Sequence, residues 1–257
     1  MSGLVAHVAG QDTLGTLRLV RIHAPELVPH LRSGHFVLAR LYPTWDPYLR
    51  VPLFPASIGH TTWHTYVPPE TSFALDIMAH MPTGTPIRLW GPYGTPVPPP
   101  LPGGNTVVVA QDAYVPYILG ALQEYAREGN VVLLVEEADG VLPQELSWLP
   151  PAVEYRHVPG DPDALEGVLE SVVTWADRFL FCGPAHWPRY FARWLEARRL
   201  TLQPGLAFAL VPDGVTCGLG VCDTCVLEVR QGRIRICRKG PVLDLARWFR
   251  SSGGRGA

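Results

Sequence analysis

The chain has 257 residues, 47% of them hydrophobic, and a formal net charge of −2, which is enough apolar material for two sizeable cores and a smaller module. The near-neutral balance and the lack of a basic run argue against nucleic acid as a partner. No stretch approaches the roughly 18 uninterrupted apolar residues of a membrane span, and the chain opens without a charged and then apolar leader, so a cytoplasmic protein is expected.

The 27 prolines and 25 glycines imply fixed turns and short elements rather than long helices. In chain order, residues 15–22, 35–41, 57–66, 72–77 and 86–90 have β-type composition or alternation and little helical periodicity, which predicts an antiparallel β barrel over residues 1–98. The run Thr95-Pro96-Val97-Pro98-Pro99-Pro100-Leu101-Pro102-Gly103-Gly104 can continue neither a helix nor a central strand, and is expected to be an extended interdomain linker. Beyond it the period changes. Thr106 to Ala110, Val131 to Val135 and Phe179 to Cys182 are short apolar runs of the kind buried in parallel sheets. Val115, Ile118, Leu119 and Leu122, and then Trp187, Tyr190, Phe191, Trp194 and Leu195, recur at helical spacing. Strands alternating with helices predict a parallel α/β domain over residues 103–200; the aromatic stripe of the second helix is expected to pack into its core.

The densest signal comes last. Cys217, Cys222, Cys225 and Cys237 stand in the spacing C-x4-C-x2-C-x11-C. A C-x4-C-x2-C run with a distant fourth cysteine is the plant-type [2Fe–2S] pattern, and Gly218 and Gly220 permit the positive φ angles of a loop wrapped round a cluster. Structural zinc is the alternative, but it favours paired C-x2-C knuckles and only Cys222 and Cys225 form one. A disulfide framework belongs to short secreted chains. Val226 to Arg230 and Arg233 to Ile236 alternate apolar and polar residues around Gln231-Gly232, so a hairpin is expected to return Cys237 to the side of Cys225. The cluster module is assigned to residues 205–245 and a tail to residues 246–257, of which 251–257 is expected to be disordered.

This combination resembles the electron-transfer subunits of two-subunit dihydroorotate dehydrogenases, which are ferredoxin–NADP reductase-like. The resemblance rests on Cys217 to Cys237 with Lys239-Gly240-Pro241-Val242, on Phe181-Cys182-Gly183-Pro184, on Trp90-Gly91-Pro92-Tyr93-Gly94, and on Gly34-His35-Phe36-Val37 leading to Leu49-Arg50-Val51-Pro52. It implies a barrel that holds FAD through Arg50, Val51, Pro52 and Leu53, an α/β domain that admits NAD, and a [2Fe–2S] cluster that passes single electrons between this FAD and an FMN in a catalytic subunit of pyrimidine biosynthesis.

Three departures from the family pattern stand out. Arg50-Val51-Pro52-Leu53-Phe54-Pro55 has no hydroxyl at Leu53 or Phe54, where a flavin hydrogen bond is expected. Met78-Ala79-His80-Met81 replaces a Gly-x-Gly-Thr phosphate segment, with Gly84-Thr85 displaced. Ala110-Gln111-Asp112-Ala113-Tyr114-Val115-Pro116 replaces a glycine-rich phosphate loop and sets Asp112 near the expected phosphate, so NAD binding in the usual manner should be weakened or lost.

Other residues have plainer readings. Cys182 is expected in the core rather than facing a nicotinamide. His60 and His64 are expected on one strand face as a surface pair, and Asp46 in a loop. Two function classes remain: an electron-transfer subunit with FAD and a [2Fe–2S] cluster working beside a dehydrogenase or another redox complex, or a flavin-free Fe–S scaffold or redox-responsive assembly subunit.

Overall fold

The structure, a computed structural model, describes residues 3–41, 50–68, 73–198 and 201–250. Asp46, Leu49, Ser72 and the tail 251–257 lie outside them.

The N-terminal part is a barrel-like antiparallel sheet of seven strands: β1 (Leu4–Leu14), β2 (Leu17–His23), β3 (Phe36–Leu41), β4 (Val51–Leu53), β5 (Pro55–Ile58), β6 (Thr62–Val67) and β7 (Pro86–Tyr93), in the order β4-β3-β7-β1-β2-β6-β5. Period-two alternation sends Val20, Ile22, Val37, Ala39, Leu41, Val51, Leu53, Ile87 and Leu89 into the barrel core around Trp63. The opposite set from β3, Phe36 and Leu38, belongs to a second core shared with the rest of the chain.

Two expectations change here. Helix α1 (Phe73–Ala79) occupies most of the segment read as a strand over 72–77. Its composition includes Ala, Leu and Met, which favour helix, and so short an apolar run carries no decisive period. The segment 57–66 is not one strand but the hairpin β5–β6, closed by Gly59 N–H to Thr62 C=O at 2.8 Å. His60 is therefore at the exposed turn, while His64 on β6 meets Ser57 Oγ at 2.8 Å and Asp12 Oδ2 at 3.0 Å. The two histidines do not share a strand face, because the chain reverses between Ile58 and Thr62.

The second part is a six-stranded sheet: β8 (Asn105–Gln111), β9 (Asn130–Glu137), β10 (Val153–Pro159), β11 (Arg178–Cys182), β12 (Ala207–Leu210) and later β15 (Val242–Asp244), in the order β10-β9-β8-β11-β12-β15. All its pairs are parallel except β12–β15. Helices α2 (Leu119–Glu128), α3 (Pro162–Val172) and α4 (Trp187–Arg198) connect the strands. Trp187, Phe191, Trp194 and Leu195 of α4 are buried, so its stripe is core, and the Cys182 thiol is buried with them. A 3-10 helix over Asp112–Ile118 follows β8 before α2 begins, later than the apolar spacing placed the helix, because Pro116 removes an N–H from the α ladder.

The last part carries the hairpin β13 (Val226–Val229) and β14 (Gly232–Arg235), the short helices α5 (Ile236–Lys239) and α6 (Leu245–Trp248), and the strand β15 between them. Val229 pairs with Gly232, so the hairpin turns at Arg230-Gln231, one residue before the expected place. The proline segment is anchored at both ends of its run: Thr95 N–H reaches Gly240 C=O at 2.8 Å, Val97 N–H reaches Ser33 C=O at 2.9 Å and Pro98 C=O accepts the Tyr125 hydroxyl at 2.8 Å, while at the far end Gly103 N–H reaches Glu128 C=O at 2.7 Å.

The turn ahead of β3 shares in this junction. His35 Nδ1 accepts the Arg32 backbone N–H at 3.2 Å. Burial, and after it the Arg32 charge, holds the imidazole pKa below the ordinary 6.5. Between the folded and unfolded pKa values the unfolded chain binds more protons, so this contribution is complete above about pH 6.5 and is lost as pH falls toward the folded value. His35→Gln is expected to flatten the loss of urea resistance between about pH 7.5 and 5; slopes identical to wild type would refute it.

Candidate functional site

The site is the loop 214–225, closed by the β13–β14 hairpin. All five cysteines are free thiols; Cys225 and Cys237 are buried, Cys217 is partly buried and Cys222 is exposed. The hairpin sets Cys225 before β13 and Cys237 after β14, and Ile236 N–H donates to Cys225 C=O at 2.9 Å. The eleven-residue gap in sequence thus closes in space.

The thiols sit in two pairs. Cys217 hydrogen-bonds Cys222, and Cys237 hydrogen-bonds Cys225. Among the described residues no three His, Cys, Asp or Glu side chains converge as the ligands of a single ion. A two-iron cluster takes four thiolates, two on each iron, and an outer pair beside an inner pair fits that donor set.

The loop backbone is turned toward the sulfurs. Leu219 N–H donates to Cys217 Sγ at 3.3 Å, and the N–H groups of Val221 and Cys222 add to it. Burial is the largest influence on the Cys217 thiol and pushes it up, but these donors together with the Cys222 side chain outweigh burial and bring it down to about 6. Burial first, then the Cys225 thiol and its neighbours, raise Cys237 to about 12. Outside the ring of cysteines, Thr224 Oγ1 ties the loop's neck by donating to Gly214 C=O at 2.8 Å. Arg235 pairs with Asp223, and its guanidinium lies in the field of both inner cysteines.

The loop rests on the barrel. Gly218 has φ +65°, and a Cβ there would lie 2.7 Å from Leu38 Cδ2 and 3.0 Å from Phe36 Cε2, so only glycine brings this backbone onto the outward face of β3. Neither Phe36 nor Leu38 was singled out as a site residue in the sequence; alternation on β3 identified a strand, not the element that would lie on it.

The barrel residues named for flavin contact lie next to this seat. Pro52 stands directly across from Leu38 in the β3–β4 pair. Val51 and Leu53 are 6% and 1% exposed and point into the barrel core, so β4 offers a ligand its backbone edge rather than those two side chains; among the described residues it pairs with β3 alone. The Arg50 guanidinium lies 4.0 Å from the Trp90 ring centroid. Phe54, at a position where a hydroxyl was expected, packs 5.8 Å from Phe36 and edge-on to Tyr117 at 5.5 Å between ring centroids. A cation beside an unpaired strand edge fits the diphosphate and polar rim of a flavin dinucleotide.

Residues 214–247 match the family described as the iron-sulfur cluster binding domain of dihydroorotate dehydrogenase B. Comparison with curated proteins gave no match. Among solved structures the chain is similar to an NADH-dependent reduced ferredoxin-NADP oxidoreductase, with 16% identity, 96% of this chain and 90% of that one covered, and a TM-score of 0.74. It is also similar to the ferredoxin reductase of carbazole 1,9a-dioxygenase, with 17% identity, 78% and 64% covered and a TM-score of 0.62. A third is the ferredoxin-NADP+ reductase from Plasmodium falciparum, with 13% identity, 77% and 90% covered and a TM-score of 0.56. At these identities the likeness is one of fold. Residues 214–247 are thus an iron–sulfur cluster binding domain of the dihydroorotate dehydrogenase B type, on a chain whose barrel-like and α/β parts have the ferredoxin reductase fold.

Proposed function

We propose that this chain is the electron-transfer subunit of a cytoplasmic, dihydroorotate dehydrogenase-like complex, in which Cys217, Cys222, Cys225 and Cys237 ligate a [2Fe–2S] cluster. The domain division follows: a flavin barrel over 1–98, a nucleotide-type α/β domain over 103–200 with a degenerate phosphate loop, and a cluster module over 205–245. The observation that carries the reading is the pairing of the four thiols on a loop seated against β3, directly across from β4. FAD would be held by Arg50 and by the backbone edge of Val51, Pro52 and Leu53. A bound flavin exchanges two electrons as hydride and single electrons with a cluster.

The chain's own residues give that exchange an exit. Leu219 and Val221, 50% and 75% exposed, flank the exposed Cys222. Apolar residues of this kind around a ligand loop suit the surface of a catalytic subunit carrying FMN, with the cluster close to the contact. The inner pair, Cys225 and Cys237, is buried, and the loop meets the barrel through Gly218, on the side where the flavin would be held.

A flavin-free Fe–S subunit is the second reading, favoured by Phe54 and its contact with Tyr117 where the family keeps a hydroxyl. Anaerobic purification followed by acid release separates the two. The first reading expects about one flavin beside the two irons of a [2Fe–2S] centre in each chain. Cluster absorption without flavin, even after incubation with FAD, would leave only the second.

A further inference from the structure

In open parallel sheets a ligand lies beyond the carboxyl ends of the strands where the strand order reverses, and a dinucleotide gives its pyrophosphate to the backbone that follows the first strand. Here the reversal falls between β8 and β11. The backbone after β8 is the 3-10 helix Asp112–Ile118.

Asp112 is 2% exposed. Its Oδ1 accepts the Ala113 N–H at 2.8 Å, and its Oδ2 accepts the N–H groups of Asp139 at 2.9 Å, Gly140 at 2.7 Å and Val141 at 3.4 Å. Converging backbone N–H groups make an anion seat. In this chain the anion is supplied from within, and the repulsion expected from the sequence becomes an intramolecular bond.

The loop so held continues to the barrel. Thr16 N–H donates to Val141 C=O at 3.1 Å, and at Gly15, φ +60°, a Cβ would fall 2.4 Å from that same oxygen. On the other side the Tyr114 hydroxyl donates to Asp213 Oδ2 at 2.8 Å, and Tyr114 C=O accepts the Cys182 thiol at 3.6 Å. Tyr117 packs edge-on to Tyr66 at 5.2 Å between centroids. Beside Asp112 lies a cavity of about 360 Å³ lined by Asp112, Glu137, Leu142, Tyr155 and His157 among others, with no Arg or Lys in its described lining. His157 is engaged with Glu137 at 2.6 Å.

We propose that Asp112–Ile118 is a built-in plug of the dinucleotide crevice, so that free NADH and NADPH are not electron donors to this chain. The plug is independent of the cluster, and the two readings fail separately. NADH binding would overturn the plug and leave the ligand set untouched; loss of the cluster would leave the plug as it stands.

The test uses the full-length, cluster-loaded chain. Wild type is expected to show no energy transfer from tryptophan to NADH or NADPH, and no bleaching of the cluster by either, up to about 1 mM nucleotide. Binding tighter than that overturns the proposal, and this arm depends on no variant folding. Asp112→Gly, checked by circular dichroism, empties the seat and is expected to bind inorganic pyrophosphate at least about tenfold more tightly than wild type in calorimetry. A folded variant with no gain would show that Asp112 does not occupy an anion seat and would overturn the assignment.

Discussion

Cys225→Ser is expected to reduce bound iron from about two per chain, the content of a [2Fe–2S] centre, to near zero. Cys225 is buried against Cys237, and its carbonyl is fixed by Ile236 N–H, so the backbone cannot move to compensate for a changed ligand. Serine supplies a hydroxyl that does not ionise near neutral pH, whereas the ligand required is a thiolate. Cys222→Ser should lose less, because Cys222 is exposed and its position is less constrained by packing than that of the buried Cys225. Iron assay and low-temperature electron paramagnetic resonance after reduction give the readout. A Cys225→Ser protein with full iron and an unchanged spectrum would remove Cys225 from the ligand set.

Phe36→Ala is the second change with a large expected effect. Phe36 is fully buried, packs against Phe54 and Tyr93 with tilted rings and centroids 5.8 and 5.7 Å away, and forms part of the floor under Gly218. Truncating a buried Phe costs about 3–5 kcal/mol, read as a lowered urea midpoint. Since the lost ring is the floor of the ligand loop, iron occupancy should fall with it under conditions where the protein is still folded. Leu89→Ala supplies the control, because Leu89 is equally buried but lies in the separate barrel core; it is expected to cost about 2–5 kcal/mol with iron retained. Equal iron loss in both variants would mean that Phe36 acts through global stability alone.

Much of the architecture was legible because it depends on local period. The apolar runs at Thr106 to Ala110, Val131 to Val135 and Phe179 to Cys182 can be satisfied only by burial on both faces, and they became β8, β9 and β11. The hairpin of the cluster domain was legible for the same reason, since Leu227, Val229 and Ile234 alternate with exposed residues. Where the period was short or mixed, the reading failed. The apolar stretch before His80 folds as α1, and the strand assigned across Gly59 and His60 breaks into a hairpin. Strands β1, β4, β10, β12 and β15 were not identified from the sequence; β4, β12 and β15 are only three, four and three residues long, too short for periodicity to register.

The sequence by itself determined the cluster chemistry. Four cysteines at C-x4-C-x2-C-x11-C, with glycines between the first two, restrict the donor set and the local loop irrespective of what surrounds them. It also located the places where the dinucleotide pattern is broken, at Phe54 and at Asp112. What those breaks mean was decided by tertiary structure alone. A carboxylate after the first parallel strand is a repulsive charge if nothing meets it, and a structural ligand if backbone N–H groups do. Those groups come from residues 139–141, more than twenty positions along the chain, and no local pattern announces them. The seat of the cluster loop on Phe36 and Leu38 is non-local in the same way, because contacts between distant segments follow from the packing of whole sheets.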